Sequence, residues 1–285
     1  MLLWICGFTA AIAGPLDPVT PSSAGEVTLS LTGSLRSFEQ VSSAHHDPQV
    51  LPASWGVAVL ALDAQAGLRE HLAVAAGLSW WDATPKVLDA GTCADWAACE
   101  AVKAPGDLTL SLRSLWRLGA WRVEGRAGVV SGALYQRHLE SLGAPGNGNL
   151  DLHAGGALSR QGTLGPLSWR TQVAAGGSLA PGRPPNTLEA SAQLSVGTPV
   201  LQLGLGWMTH QSVHGVDFDV AVADPSDPAR FTDLDHDLQR LDVALGVAVG
   251  PPGWWLVAGG WMHTQVDNGP ADLRGAELGV QWQRD

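Results

Sequence analysis
The chain has 285 residues, of which 45% are hydrophobic and only 15% charged, with a formal net charge of −11. That balance is too apolar for a disordered chain and low in charge for a cytosolic enzyme. The acidic excess argues against a nucleic-acid partner, because neutralising phosphates needs a surplus of Lys and Arg. Thirteen Trp against one Tyr and four Phe point to amphipathic rings at interfaces rather than to a plain core.

The N-terminus reads as an export signal. Met1 to Ala13 is apolar apart from Thr9, and Ala11-Ile12-Ala13 forms a small-residue cleavage site before Gly14, although no Lys or Arg precedes the apolar run. The expected division is a signal peptide over 1–13, an N-terminal periplasmic segment over 14–25 and one domain over 26–285. Cys6 would leave with the signal. Cys93 and Cys99 remain, and in an oxidising compartment they are expected to form a disulfide that staples a loop. Beyond the N-terminus there is no apolar run of eighteen residues, so a helical span is not expected and a closed barrel is the other way to cross a bilayer.

Hydrophobic residues then recur with period two. Leu108, Leu110 and Leu112 alternate with Thr109, Ser111 and Arg113; Leu201, Leu203, Leu205 and Trp207 alternate with Gln202, Gly204 and Gly206. Strands are predicted over 26–38, 55–65, 72–82, 107–117, 121–132, 149–159, 166–178, 187–197, 200–211, 238–249, 254–265 and 272–283. The second and eleventh are less regular; Val59-Leu60-Ala61-Leu62 has no clean parity, which leaves a bulge or a misplaced register open. Each is about ten residues, the length of a tilted membrane strand.

The links alternate in length. Short ones fall near Gly67–His71, Gly119-Ala120, Gly162–Gly165, Thr198-Pro199 and Pro251-Pro252-Gly253, whereas 39–54, 83–106, 133–148 and 212–237 are long. The expected fold is therefore all-β: a transmembrane antiparallel up-and-down β-barrel of about twelve strands, with short periplasmic turns and longer extracellular loops. Its expected place is the outer membrane of a Gram-negative bacterium. Trp116, Trp121, Trp169, Trp254, Trp255 and Trp282 fall near short turns, and Trp55, Trp80, Trp81, Trp207 and Trp261 near long loops, which predicts two aromatic girdles.

In a membrane barrel the apolar face meets lipid, so the other set lines the interior. The expected lumen residues are Arg36, Arg113, Arg122, Glu124, Arg126, Asp151, His153, Arg170, Glu189, Arg240, Asp242 and Glu277, mixed with small residues. Two readings of this set stay open: a narrow aqueous path with a mixed charge lining, or paired charges that fill and rigidify the barrel. Thr209-His210-Gln211-Ser212 resembles the His-x-Ser segment of outer-membrane phospholipase A, which implies a lipid hydrolase using His210 and Ser212. Parity, however, sends both side chains inward, and Val213-His214 follow in place of the family's Asn-Gly. Asp233, Asp235 and Asp237 offer oxygens, but no Gly and no distal Glu complete a calcium loop, so 212–237 reads as an acidic outer loop. No catalytic residue, metal site or cofactor is expected.

Ala66-Gly67-Leu68-Arg69-Glu70-His71-Leu72-Ala73-Val74 resembles a recurrent hairpin of bacterial outer-membrane transporters of the phenol-degradation-pathway or hydrocarbon-uptake type, and Pro105-Gly106-Asp107-Leu108-Thr109-Leu110 resembles a strand start of the same group. The resemblance spans strands two to five. It implies an outer-membrane location and uptake of small apolar compounds, with no binding residue to carry over. The expected function is passive passage or uptake of small solutes, apolar or polar, through a polar lumen. The alternative is a non-conducting structural or surface-interaction barrel that works through its outer loops. Expected partners are outer-membrane lipids and, during insertion, the barrel-assembly machinery.

Overall fold
The computed structural model describes residues 24–42, 48–87, 101–132, 150–179, 186–213, 237–267, 269–270 and 273–284. The expected signal over 1–13, residues 14–23, Cys93, Cys99 and residues 214–236 of the acidic loop lie outside the described residues.

The strands are β1 (Val27–Ser42), β2 (Pro48–Arg69), β3 (Leu72–Val87), β4 (Val102–Leu118), β5 (Trp121–Ser131), β6 (Leu150–Leu164), β7 (Leu167–Leu179), β8 (Asn186–Gly197), β9 (Leu201–Val213), β10 (Asp237–Ala248), β11 (Trp254–Asp267), the two-residue β12 (Gly269–Pro270) and β13 (Arg274–Arg284). Each long strand pairs antiparallel with its neighbours in sequence, and β1 pairs with both β2 and β13. The sheet is therefore a closed barrel of twelve long strands, with β12 extending the ladder beside the end of β1. Closure removes both sheet edges, so the backbone groups of the wall are satisfied without water.

The wall is inverted relative to a water-soluble protein. Leu31, Leu62, Leu112, Leu205 and Leu278 are 47%, 53%, 54%, 53% and 58% exposed on the outer face. Thr28, Ser111, Ser178 and Arg113 are buried on the inner one. A shell of this kind is stable only where hydrocarbon replaces water outside it.

Several strands are longer than predicted. β2 has 22 residues against 55–65, and β4 has 17 against 107–117. Their ladders run on beyond the length that hydrocarbon requires; in the added part of β4 the alternation inverts, with Val102 and Ala104 buried inward and Lys103 exposed outward. The irregular parity of 55–65 also has a cause. Between Trp55 and Gly67 the β2–β3 register is continuous, without a bulge. Trp55, Val57 and Val59 face inward and are buried, while Leu60 and Leu62 face out, so both faces are apolar in this stretch.

Five tight turns join the strands at one end: Glu70-His71, Gly119-Ala120, Gly165-Pro166, Thr198 to Val200 and Val249 to Gly253. Gly119 and Gly253 have φ of 65° and 91°, the left-handed region that favours glycine. They differ in surroundings. A Cβ at Gly119 meets nothing within 4 Å, whereas one at Gly253 would lie 2.2 Å from the Gln283 carbonyl oxygen. Gly119→Ala is expected to cost about 1 kcal/mol. Gly253→Ala adds a backbone clash to a strain of about 1–3 kcal/mol and is expected to block refolding or cost well above Gly119→Ala. Urea unfolding in lipid vesicles compares the two, and equal midpoints would contradict this account.

Candidate functional site: the inner wall
At the end away from the tight turns the inner wall is polar across β6 to β9, with Asp151, His153, Ser178, Thr187, Glu189 and His210 buried. Across β1 to β4 the same end carries an apolar tier. Phe38, Trp55, Val57, Val59, Trp81, Ala83, Val102 and Ala104 are all buried. Register joins them into one patch across β1 to β4: Phe38 opposes Trp55, Val57 opposes Ala83, Val59 opposes Trp81, and Trp81 opposes Ala104. The Phe38 and Trp55 rings stack at 6.1 Å.

This placement corrects the two-girdle map. Trp80 and Trp207 do face outward toward the end away from the tight turns, at 52% and 39% exposure. Trp116, Trp121 and Trp254 do so near the tight turns, and Trp254 pairs with Trp282. Trp55, Trp81 and Trp261, however, are buried on the inner face, and Trp255 shares the inward parity of Gln281. Sequence position sets a residue's height in the wall, but strand parity sets its face.

Beside and below this tier the wall is charged. Arg36 links the two: its guanidinium lies 5.4 Å from the Trp81 ring and 5.4 Å from the Trp261 ring. Arg240 lies 5.1 Å from Trp261 and bonds Asp242 at 2.6 Å. Trp261 can lie flat here because Gly275 opposes it; a Cβ on Gly275 would sit 2.6 Å from the indole. The result is a layered series, Trp81, Arg36, Trp261, Arg240 and Asp242, spread across the inner face from β3 to β10. Cation–π contacts of this kind contribute about 0.5–2 kcal/mol each, more where water is excluded.

On the other side, Arg113 donates to Gln65 at 3.4 Å and approaches Glu124 at 3.8 Å. Arg126 extends across the wall over Gly155 and Gly176, whose added Cβ atoms would come within 3.3 and 3.6 Å of it. Arg170 donates to Gln172. Asp151, His153 and Arg122 are buried on inward positions, and Ser178 and Thr187 share a hydrogen bond of 2.8 Å. Glu277 lies against Gly259. Low-dielectric surroundings strengthen such pairs, and small neighbours leave them room.

Sequence reading missed Asp63, which sits over Gly77 and Thr109 on the inner face. It alternates with Leu60 and Leu62, so its parity was legible once the apolar interior of β2 is allowed for. Its neighbours Val57 and Val59 masked that signal.

His210 and Ser212 also belong to the inner wall. His210 is buried and its Nδ1 lies 2.9 Å from the Glu189 carboxylate, and the Ser212 backbone N–H donates to Asp237 at 2.8 Å. The pair is therefore turned away from the lipid, as parity indicates. Among the described residues no cluster of His, Cys, Asp and Glu could hold a metal ion.

No protein-family model and no curated protein matches the chain. Solved structures do. An outer membrane channel from Pseudomonas putida F1 aligns with a TM-score of 0.63 at 13% identity, over 94% of this chain and 100% of that one. The translocator domain of the autotransporter NalP from Neisseria meningitidis aligns at 0.44 and 14% identity, over 91% and 88%. The KdgM porin aligns at 0.45 and 7% identity, over 89% and 99%. At such identities the first likeness is one of fold. Together with the apolar outer belt, it makes the chain a transmembrane β-barrel with the fold of a bacterial outer membrane channel.

Proposed function
We propose that the barrel is a passive channel for small solutes, with an apolar aromatic tier on one side of a charged passage. The observation that carries this reading is the charged inner wall: Arg113 with Glu124, and Arg240 with Asp242, inside a shell whose outer face is apolar. Burying charge is costly, and a barrel whose only task is to be rigid is filled as well by apolar or small side chains. A mixed lining instead suits solutes with a polar part, and the aromatic tier suits an apolar part. The named resemblance to hydrocarbon-uptake barrels agrees with the second half of this reading. The likeness in fold to an outer membrane channel adds support but no substrate.

The test is single-channel conductance of the refolded chain in a planar bilayer. Discrete ohmic steps are expected. Arg113→Gln combined with Arg126→Gln removes two cations from one wall and is expected to move the reversal potential toward cation preference. Silence from a correctly folded barrel would end the channel reading.

A further inference from the structure
We propose that the outer wall carries a binding site for one phosphorylated lipid of the extracellular leaflet, in a groove that crosses β9, β10, β11, β13 and β1. The groove has a volume of about 800 Å³, within the range of about 300–1,000 Å³ typical of small-molecule sites. Its floor follows from register. Leu205, Val243, Gly260, Ala276 and Leu35 form one continuous cross-strand row. The two ends of that row stand high, with Leu35 68% and Leu205 53% exposed. The middle is low, because Gly260 has no side chain and Ala276 only a methyl. An acyl chain laid over the middle buries apolar surface against both flanks.

The next row toward the extracellular side supplies the head-group contact. Met262 opposes Arg274, and Arg274 opposes Ser37. Arg274 begins β13 and is exposed on the outward parity shared with Met262. An arginine on the lipid face is tolerated at this height because the bilayer interface lies here, whereas at the midplane it is costly. Its guanidinium is complementary to a phosphate, which it can engage bidentately, and Ser37 beside it offers a hydroxyl. The groove opens onto hydrocarbon along its length and onto head groups at its cationic end. That combination fits an acyl chain with an anionic head and does not fit a soluble ligand. The site is on the opposite face of the wall from the passage and does not depend on conductance.

The experiment is native mass spectrometry of the refolded full chain in mild detergent with dioleoyl phosphatidic acid, and in parallel with dioleoyl glycerol, which has the same chains and no phosphate. Arg274→Gln removes the charge, and Ala276→Leu fills the floor. Ala154→Leu makes the same change on the outer face of β6 as a control, Ala154 being exposed there. Heat-dependent gel mobility checks that each variant has folded. One retained phosphatidic acid per barrel is expected, with dioleoyl glycerol held about tenfold more weakly. Both groove variants should lose about tenfold in retention and the control none. Equal retention by all variants, equal retention of both lipids, or a dimer that forms through this face and excludes lipid would each overturn the site.

Discussion

An arginine in place of Leu112 is expected to cost about 2–4 kcal/mol of barrel stability. Leu112 is 54% exposed on the outer face, between Val74 of β3 and Ala127 of β5. It lies six residues from the turn-side end of β4 at Leu118, deep enough to meet hydrocarbon. A guanidinium there has no protein partner and must reach for the interface, thinning the bilayer around it. Gln193→Arg is the contrast. Gln193 is half-buried on the inner wall, opposite Gln172 and Gly206. The same charge there meets a polar lining and is expected to cost less than about 1 kcal/mol. Urea titration in lipid vesicles, followed by tryptophan fluorescence, measures both. Equal effects, or a neutral Leu112→Arg, would mean that the two faces are assigned wrongly.

The second large effect concerns the aromatic tier. Trp81→Ala with Trp261→Ala is expected to raise single-channel conductance severalfold. Both rings are buried on the inner wall, at 0% and 6% exposure, and both flank Arg36. Their removal takes away bulk inside the barrel and frees the Arg36 side chain from two aromatic faces, a loss of about 1–4 kcal/mol of positioning energy in all. Trp116→Ala is the control, since Trp116 faces outward at 53% exposure and stacks on His71 at the turn. Conductance that is unchanged in the double variant would show that this tier does not limit the passage. A rise in the Trp116 variant would show that the effect comes from general loosening of the wall.

The separation between the faces was legible in the sequence wherever the inner face is polar. In Leu108–Arg113 and Leu201–Trp207 each apolar residue is followed by a polar or small one, and alternation in a strand can only mean opposite faces. The alternation of short and long links then implied an up-and-down order, and the apolar excess outside implied lipid. Gly119 and Gly253 in the turns carried their own signal, because a tight reversal needs φ values that few other residues adopt.

Tertiary structure decided the rest, for reasons that sequence spacing cannot express. Parity is lost where both faces of a strand are apolar, so the inward Trp55, Val57 and Val59 were invisible until their register against β1 and β3 was known. The layered contact of Trp81, Arg36, Trp261 and Arg240 joins residues up to 225 positions apart in sequence, from Arg36 to Trp261. It exists because the barrel closes β1 onto β13 and brings the two ends of the chain together. The lipid-facing groove has the same origin. Gly260 and Ala276 are unremarked small residues in the sequence, and only their adjacency in one cross-strand row, below Arg274, makes a depression with a charged end. Period-two patterning determines which face a residue takes; closure and register determine which residues on that face meet.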